Sequence, residues 1–324
     1  MAEKAQAAKK AAGKPAKKAA TKATKKASKT SAEKPAKKAA ARRATSKGAP
    51  SRAERAEARR REQARRMKAR SGNRYLVHYD IDGPRVRLGL LWFAGSIVAL
   101  ALGTAATALW FGVTFAAAGA QALRTWRARG APVDPRVALL AVAAVVAGAA
   151  VHPRAMGVAL LLAVVAVLGR AFRELDDTQA SPVLARASLV LQATLAPAVA
   201  GGCLVLLADL ETWAAISLVL LTSAYESGDY LIGSGSANAF EGPLAGGVAV
   251  VVTTLVIAAL GVPPFDVGEA FAFGLLVAPG AFAGQLLASV LLPHARAFAP
   301  ALRRVDSLLL VAPLWYAGID LLVA

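Results

Sequence analysis

The chain is poor in the residues on which most site chemistry depends. It has one cysteine, three histidines and no lysine after Lys68. The single thiol, Cys203, sits in an apolar run; it excludes a disulfide framework and reads as a small hydrophobe rather than a nucleophile. His78, His152 and His294 fall in separate segments, without the spacing of metal ligands. Gly233-Ser234-Gly235-Ser236 is followed by no P-loop lysine and reads as a flexible cytosolic loop rather than a phosphate cradle. No apolar stretch precedes residue 88, so a cleavable signal peptide is not expected.

What is present divides sharply in two. Residues 1–74 hold 26 of the 39 Lys and Arg but 5 of the 20 Asp and Glu, a net charge of +21, whereas the remaining 250 residues hold 13 and 15, a net charge of −2. Mean hydropathy is +0.48 even with the basic arm included. A basic polar arm on long apolar runs describes an integral membrane protein with a soluble tail.

Within the arm, residues 1–50 consist mainly of Ala, Lys, Thr, Ser and Pro, and Lys-Pro-Ala-Lys-Lys-Ala-Ala occurs at 14–20 and again at 34–40. Without large apolar side chains this segment cannot offset its ordering entropy and is expected to be disordered. In composition it resembles the tails of linker histones. Its chemistry suits anionic lipid or nucleic-acid phosphates, besides holding the N-terminus in the cytosol. Residues 51–72 read as a solvated basic helix: Ser51 and Glu54 have capping-box spacing, and no apolar stripe follows. Residues 73–87 read as a juxtamembrane turn segment.

Apolar runs lie at about 88–122, 136–151, 155–173, 184–208, 212–225, 243–261, 268–292 and 305–323. The first is too long for one span and has a natural break near Gly103-Thr104, so about nine transmembrane helices are expected in an all-α polytopic membrane domain over 88–324. With the N-terminus cytosolic, ten arginines border the inner loops 123–135, 174–183, 226–242 and 293–304, and Arg154 alone faces the other side. That split favours a multi-pass protein of the cell (inner) membrane with its N-terminus inside.

Three polar stretches fall at inner helix ends: Glu226-Ser227-Gly228-Asp229-Tyr230-Leu231-Ile232-Gly233, Phe240-Glu241-Gly242 and Arg303-Arg304-Val305-Asp306-Ser307. Carboxylates at a membrane face are costly unless paired or bound to metal. In order and spacing these stretches, with Gly284-Gln285-Leu286-Leu287-Ala288-Ser289, resemble the phosphatidate cytidylyltransferase (CDP-diacylglycerol synthase) family, Mg²⁺-dependent membrane enzymes that join CTP and phosphatidic acid. The resemblance implies Asp306 and Glu226 as catalytic carboxylates and Mg²⁺ ligands, Arg304 as a catalytic cation, and Glu241, Ser289 and Arg303 as substrate-binding residues.

The departures are as informative. Leu292-Pro293 stand where the family places Lys-Arg, and the first Asp of its closing motif is Arg303. Its Lys-Asp pair and His-Gly-Gly stretch are also missing. A triphosphate needs several cations, and lysines that would clamp it are absent. The expectation is a catalytically degenerate relative with a residual lipid or nucleotide pocket on the cytosolic face. Two other readings compete: an active Mg²⁺-dependent cytidylyltransferase or CTP-dependent lipid kinase of phospholipid biosynthesis, and a membrane tether working through the basic tail.

Overall fold

The structure, a computed structural model, describes residues 57–59, 61, 62, 85–173, 180–234, 236, 238 and 240–323, without the side chains of 85, 86 and 180–182. The chain divides into two units at Ala53/Glu54. The first unit, with the expected disordered tail over 1–50, lies outside the described residues, as do most of 51–72 and the segment 73–84. Residues 57–59, 61 and 62 are helical, and exposed Arg61 pairs with Glu57 one turn away.

In the second unit the described residues form ten helices: α1 Arg85–Ala101, α2 Thr104–Arg127, α3 Pro135–Ala149, α4 Pro153–Arg173, α5 Ala180–Leu210, α6 Thr212–Gly233, α7 Glu241–Leu260, α8 Val267–Leu291, α9 Pro300–Val305 and α10 Leu308–Val323. Their boundaries follow local chemistry. The long apolar run breaks at Gly103, whose φ of 95° suits only glycine. Asp134 caps α3 by accepting from the Arg136 amide at 3.0 Å, with Pro135 at the first helical position. Glu211 alone separates α5 from α6 and caps the latter through the Trp213 amide. Asp266 and Glu269 form a reciprocal capping box at the start of α8, with bonds of 2.7 and 2.8 Å.

Six helical stretches are long and apolar enough to cross a membrane: α2, α4, α5, α7, α8 and Pro300–Val323, which combines α9 and α10. The two shorter apolar helices end at Ala101 and Ala149. At 15 residues, α3 reaches only about 22 Å, against a hydrocarbon layer of roughly 30 Å. The sixth helix is 22 residues long, but Glu226, Ser227 and Asp229 lower its apolar character. All nine expected segments are helical, and six of them satisfy the length and polarity that spanning requires.

Burial separates inner from outer helices. In their most apolar stretches α2 and α5 are 56% and 61% buried, whereas α4 and α7 are 17% and 22% buried. Exposed Leu161, Leu162, Val165, Leu244, Val248 and Val252 give those outer helices an oily surface, the expected pattern where lipid is the solvent. The interior is filled by Phe111, Phe115, Tyr225 and Trp315, and Phe265, Phe273 and Trp315 stack with centroids 5.3–5.6 Å apart. One end of the bundle is fastened by Thr104 donating to Asp209 at 2.9 Å. At the other, Trp126 donates to the Leu291 carbonyl, and the Ala301 amide donates to Gln121, both at 2.8 Å.

Candidate functional site

The polar residues of that second end gather where the C-terminal half of α6, the C-terminal half of α8 and the α9–α10 turn meet. From α6 come Tyr225, Glu226 and Asp229; from α8, Gly284, Gln285 and Ser289; from α9 and the turn, Arg303, Arg304, Asp306 and Ser307. Close approach makes the meeting possible. A Cβ on Gly284 would run into the Asp306 carbonyl, so only glycine lets α8 touch the turn. A Cβ on Gly228 would stand 2.6 Å from the Ala245 carbonyl, which draws α6 equally close to α7.

Around that contact, Asp229, Asp306, Ser289 and Ser307 are all at most 4% exposed. The Asp229 carboxylate accepts from Gln285 Nε2 at 3.1 Å. Arg303 joins three segments: it donates to Ser289 Oγ at 3.0 Å, to the Ala295 carbonyl at 3.0 Å and to the Gln285 carbonyl at 3.4 Å. Its guanidinium also lies 3.6 Å from Asp306 Oδ2. Glu226 accepts a short hydrogen bond from Ser307 Oγ, 2.5 Å, and faces Arg304 at 4.0 Å. Arg304 packs beside Gly89 of α1, where a Cβ would lie 3.1 Å from Nη1. Among the described residues the Tyr225 hydroxyl and Gln285 Oε1 are buried without hydrogen-bond partners, and Asp229, Asp306 and Glu226 all lie within electrostatic reach of that tyrosine.

The structure therefore brings together five of the six residues singled out in the sequence: Glu226, Ser289, Arg303, Arg304 and Asp306. The sixth, Glu241, is exposed in the first turn of α7 and makes no hydrogen bond or ion pair with the others among the described residues. Sequence reasoning underweighted Gln285 and Ser307. Gln285 carries a signal, being one helical turn before Ser289; the Ser307–Glu226 bond spans 81 positions and has none.

The arrangement offers Mg²⁺, among the described residues, two carboxylates, Glu226 and Asp306, both already engaged by groups of the chain. Among the described residues no three His, Cys, Asp or Glu side chains come together as a metal site. Glu226 and Asp306 point at Ser307 and two guanidiniums instead, and Mg²⁺ demands near-octahedral oxygen ligation. Nor does any lysine follow Lys68 to hold a phosphate chain. The cluster holds two ion pairs, Arg303–Asp306 and Arg304–Glu226, beside the Gln285-bound carboxylate of Asp229, and is largely withdrawn from water.

Arg129, His294 and Arg296 lie outside this network, beyond the end of α8. Partial burial, then the charges of Arg129 and Arg296, hold the His294 imidazole below its ordinary pKa of 6.5. His152 Nδ1 accepts from the Arg154 amide at 3.1 Å, a local turn contact rather than a ligand. No protein-family model matches the chain, and neither a curated protein nor a solved structure is significantly similar to it.

Proposed function

We propose that the chain is a nine-span membrane protein of the phosphatidate cytidylyltransferase-like architecture, with its N-terminus cytosolic, in which the nucleotide site has become a structural charge cluster. The observation carrying this reading is the pairing of Asp306 with Arg303 and of Glu226 with Ser307 and Arg304. Two carboxylates poised for metal would repel each other without it. Here each is held by a cation of the chain itself, so ordered guanidiniums stand where an enzyme of that class would place Mg²⁺ and a triphosphate. Arginine presents a planar fork that locks onto carboxylates and is not equivalent to the mobile lysine that phosphate clamping uses. The basic residues 1–74 would then keep the N-terminus at the anionic inner face of the cell membrane.

The test is turnover. Purified protein incubated with CTP, Mg²⁺ and phosphatidic acid is expected to form no CDP-lipid above background, and Asp306→Asn is expected to lower thermal stability without removing any synthesis. Robust CDP-lipid formation by the wild type, abolished in Asp306→Asn, would show an active cytidylyltransferase in which arginines replace the missing lysines.

A further inference from the structure

A separate cavity of about 540 Å³ lies between α3, α4 and α5, and none of its lining residues belongs to the charge cluster. Its walls are built on helical faces. Val137, Leu140, Ala141 and Ala144 follow i, i+3, i+4, i+7 spacing on α3, and α4 contributes Ala159 through Ala166 at the same spacing. Alanines where leucines would fill the gap leave the groove open, and exposed Leu140 and Leu162 put its mouth on the oily surface. Among the described lining residues polar groups occur at one end only: Arg170 in the last turn of α4, Arg186 on α5 and Asp134, the cap of α3. Asp134 is engaged by the Arg136 amide at 3.0 Å.

The geometry points to a binding groove for one anionic glycerophospholipid, its acyl chain along α4 and its phosphate at Arg170 and Arg186. Three features select this occupant. Aliphatic walls reject water and polar ligands. From Ala159 to Arg170 the face of α4 runs about 16 Å, close to the depth of one leaflet, which is half of a roughly 30 Å hydrocarbon layer. Among the described lining residues two guanidiniums stand against one carboxylate, which favours an anionic head group over a zwitterionic one, and each guanidinium has enough donors to bind a phosphate while keeping another partner. The inference stands independently of the fate of the nucleotide site.

The experiment uses the full chain in a zwitterionic detergent and phosphatidic acid with a photoactivatable group near its acyl end. Crosslinks are expected at Ala141, Ala144 and Ala163. Unlabelled phosphatidic acid should compete about 25-fold better than phosphatidylcholine, at roughly fivefold per arginine. Arg170→Gln/Arg186→Gln should erase that preference, and Ala163→Phe should block labelling while leaving the preference of any residual labelling unchanged. Labelling spread equally over the exposed face of α7 at Leu244, Val248 and Val252, or equal competition by the two lipids in the wild type, would overturn the proposal. A preference that survives Arg170→Gln/Arg186→Gln would also overturn it, placing anionic selectivity on the basic tail.

Discussion

Arg303 shows how few residues this fold needs to commit its polar end. One guanidinium satisfies Ser289, two carbonyls of other segments and Asp306, an arrangement open to arginine because its five donors form a rigid fork. Buried ion pairs of this kind add little net stability but are costly to break, about 3–5 kcal/mol when one partner is removed. The Arg303–Asp306 spacing of three is local in the sequence; that Glu226 would meet the same turn was not visible, since nothing local couples residues so far apart. A second basic group gives a pH-dependent expectation. Because His294 is held below 6.5 in the native state, the unfolded chain takes up a proton first as pH falls below that value, and stability is lost there. Between pH about 7.5 and 5.5 the melting temperature of the wild type should fall more than that of His294→Gln, and high salt should narrow the difference by screening Arg129 and Arg296. Equal slopes for the two proteins would remove His294 from the account.

Among the helix ends, the break at Gly103-Thr104 was read from the sequence, and local chemistry of the same kind, aspartate before proline at 134 and the Asp266–Glu269 box, sets two others. Helix contacts were not legible, because they depend on small side chains whose partners lie on distant segments. The groove between α3, α4 and α5 is the clearest case, as its alanines look like any others in an alanine-rich chain. Glu241 marks the same gap from the other side: a motif position at an inner helix end that tertiary packing leaves exposed. Gly284 tests the packing claim against intrinsic propensity. Alanine normally stabilises a helix over glycine by up to about 1 kcal/mol, but at 284 its Cβ overlaps the Asp306 backbone, and overpacking costs about 1–3 kcal/mol. Gly157 of α4 has nothing within 4 Å of an added Cβ. Gly284→Ala should therefore lower the thermal midpoint in detergent and Gly157→Ala should raise it slightly; the same sign at both would show that α8 does not need its glycine.

At the scale of the whole molecule, charge sets orientation. The arginines in the last turns of α2, α4 and α9 and Arg296 of the α8–α9 connection lie toward one end of the bundle, and Asp209, Glu211, Asp266 and Glu269, with Arg154, toward the other, where Asp209 holds the start of α2. On the nine-span reading proposed above, the positive-inside rule assigns the arginine end to the cytosol. In a Cys203→Ser background, Leu210→Cys and Val267→Cys should react with an impermeant thiol reagent added outside intact cells, and Gly235→Cys only after the membrane is opened. Outside labelling at 235 would reverse or break the nine-span arrangement. The short helices α1 and α3 are compatible with it where neighbouring long helices and local bilayer thinning absorb the mismatch.

On the proposed reading the carboxylates of this end are neutralised by the chain's own arginines rather than by a metal, and a Mg²⁺ titration of thermal stability distinguishes the two. A ligand bound by the native state raises stability in proportion to ln(1 + [L]/Kd), about 2.7 kcal/mol at a hundredfold excess over Kd. The wild type should melt at the same temperature with and without millimolar Mg²⁺, at constant ionic strength, whereas Arg303→Gln, with Asp306 released, should become Mg²⁺-dependent. A wild-type melting temperature that rises and saturates with Mg²⁺, and loses that response in Asp306→Asn, would contradict the account.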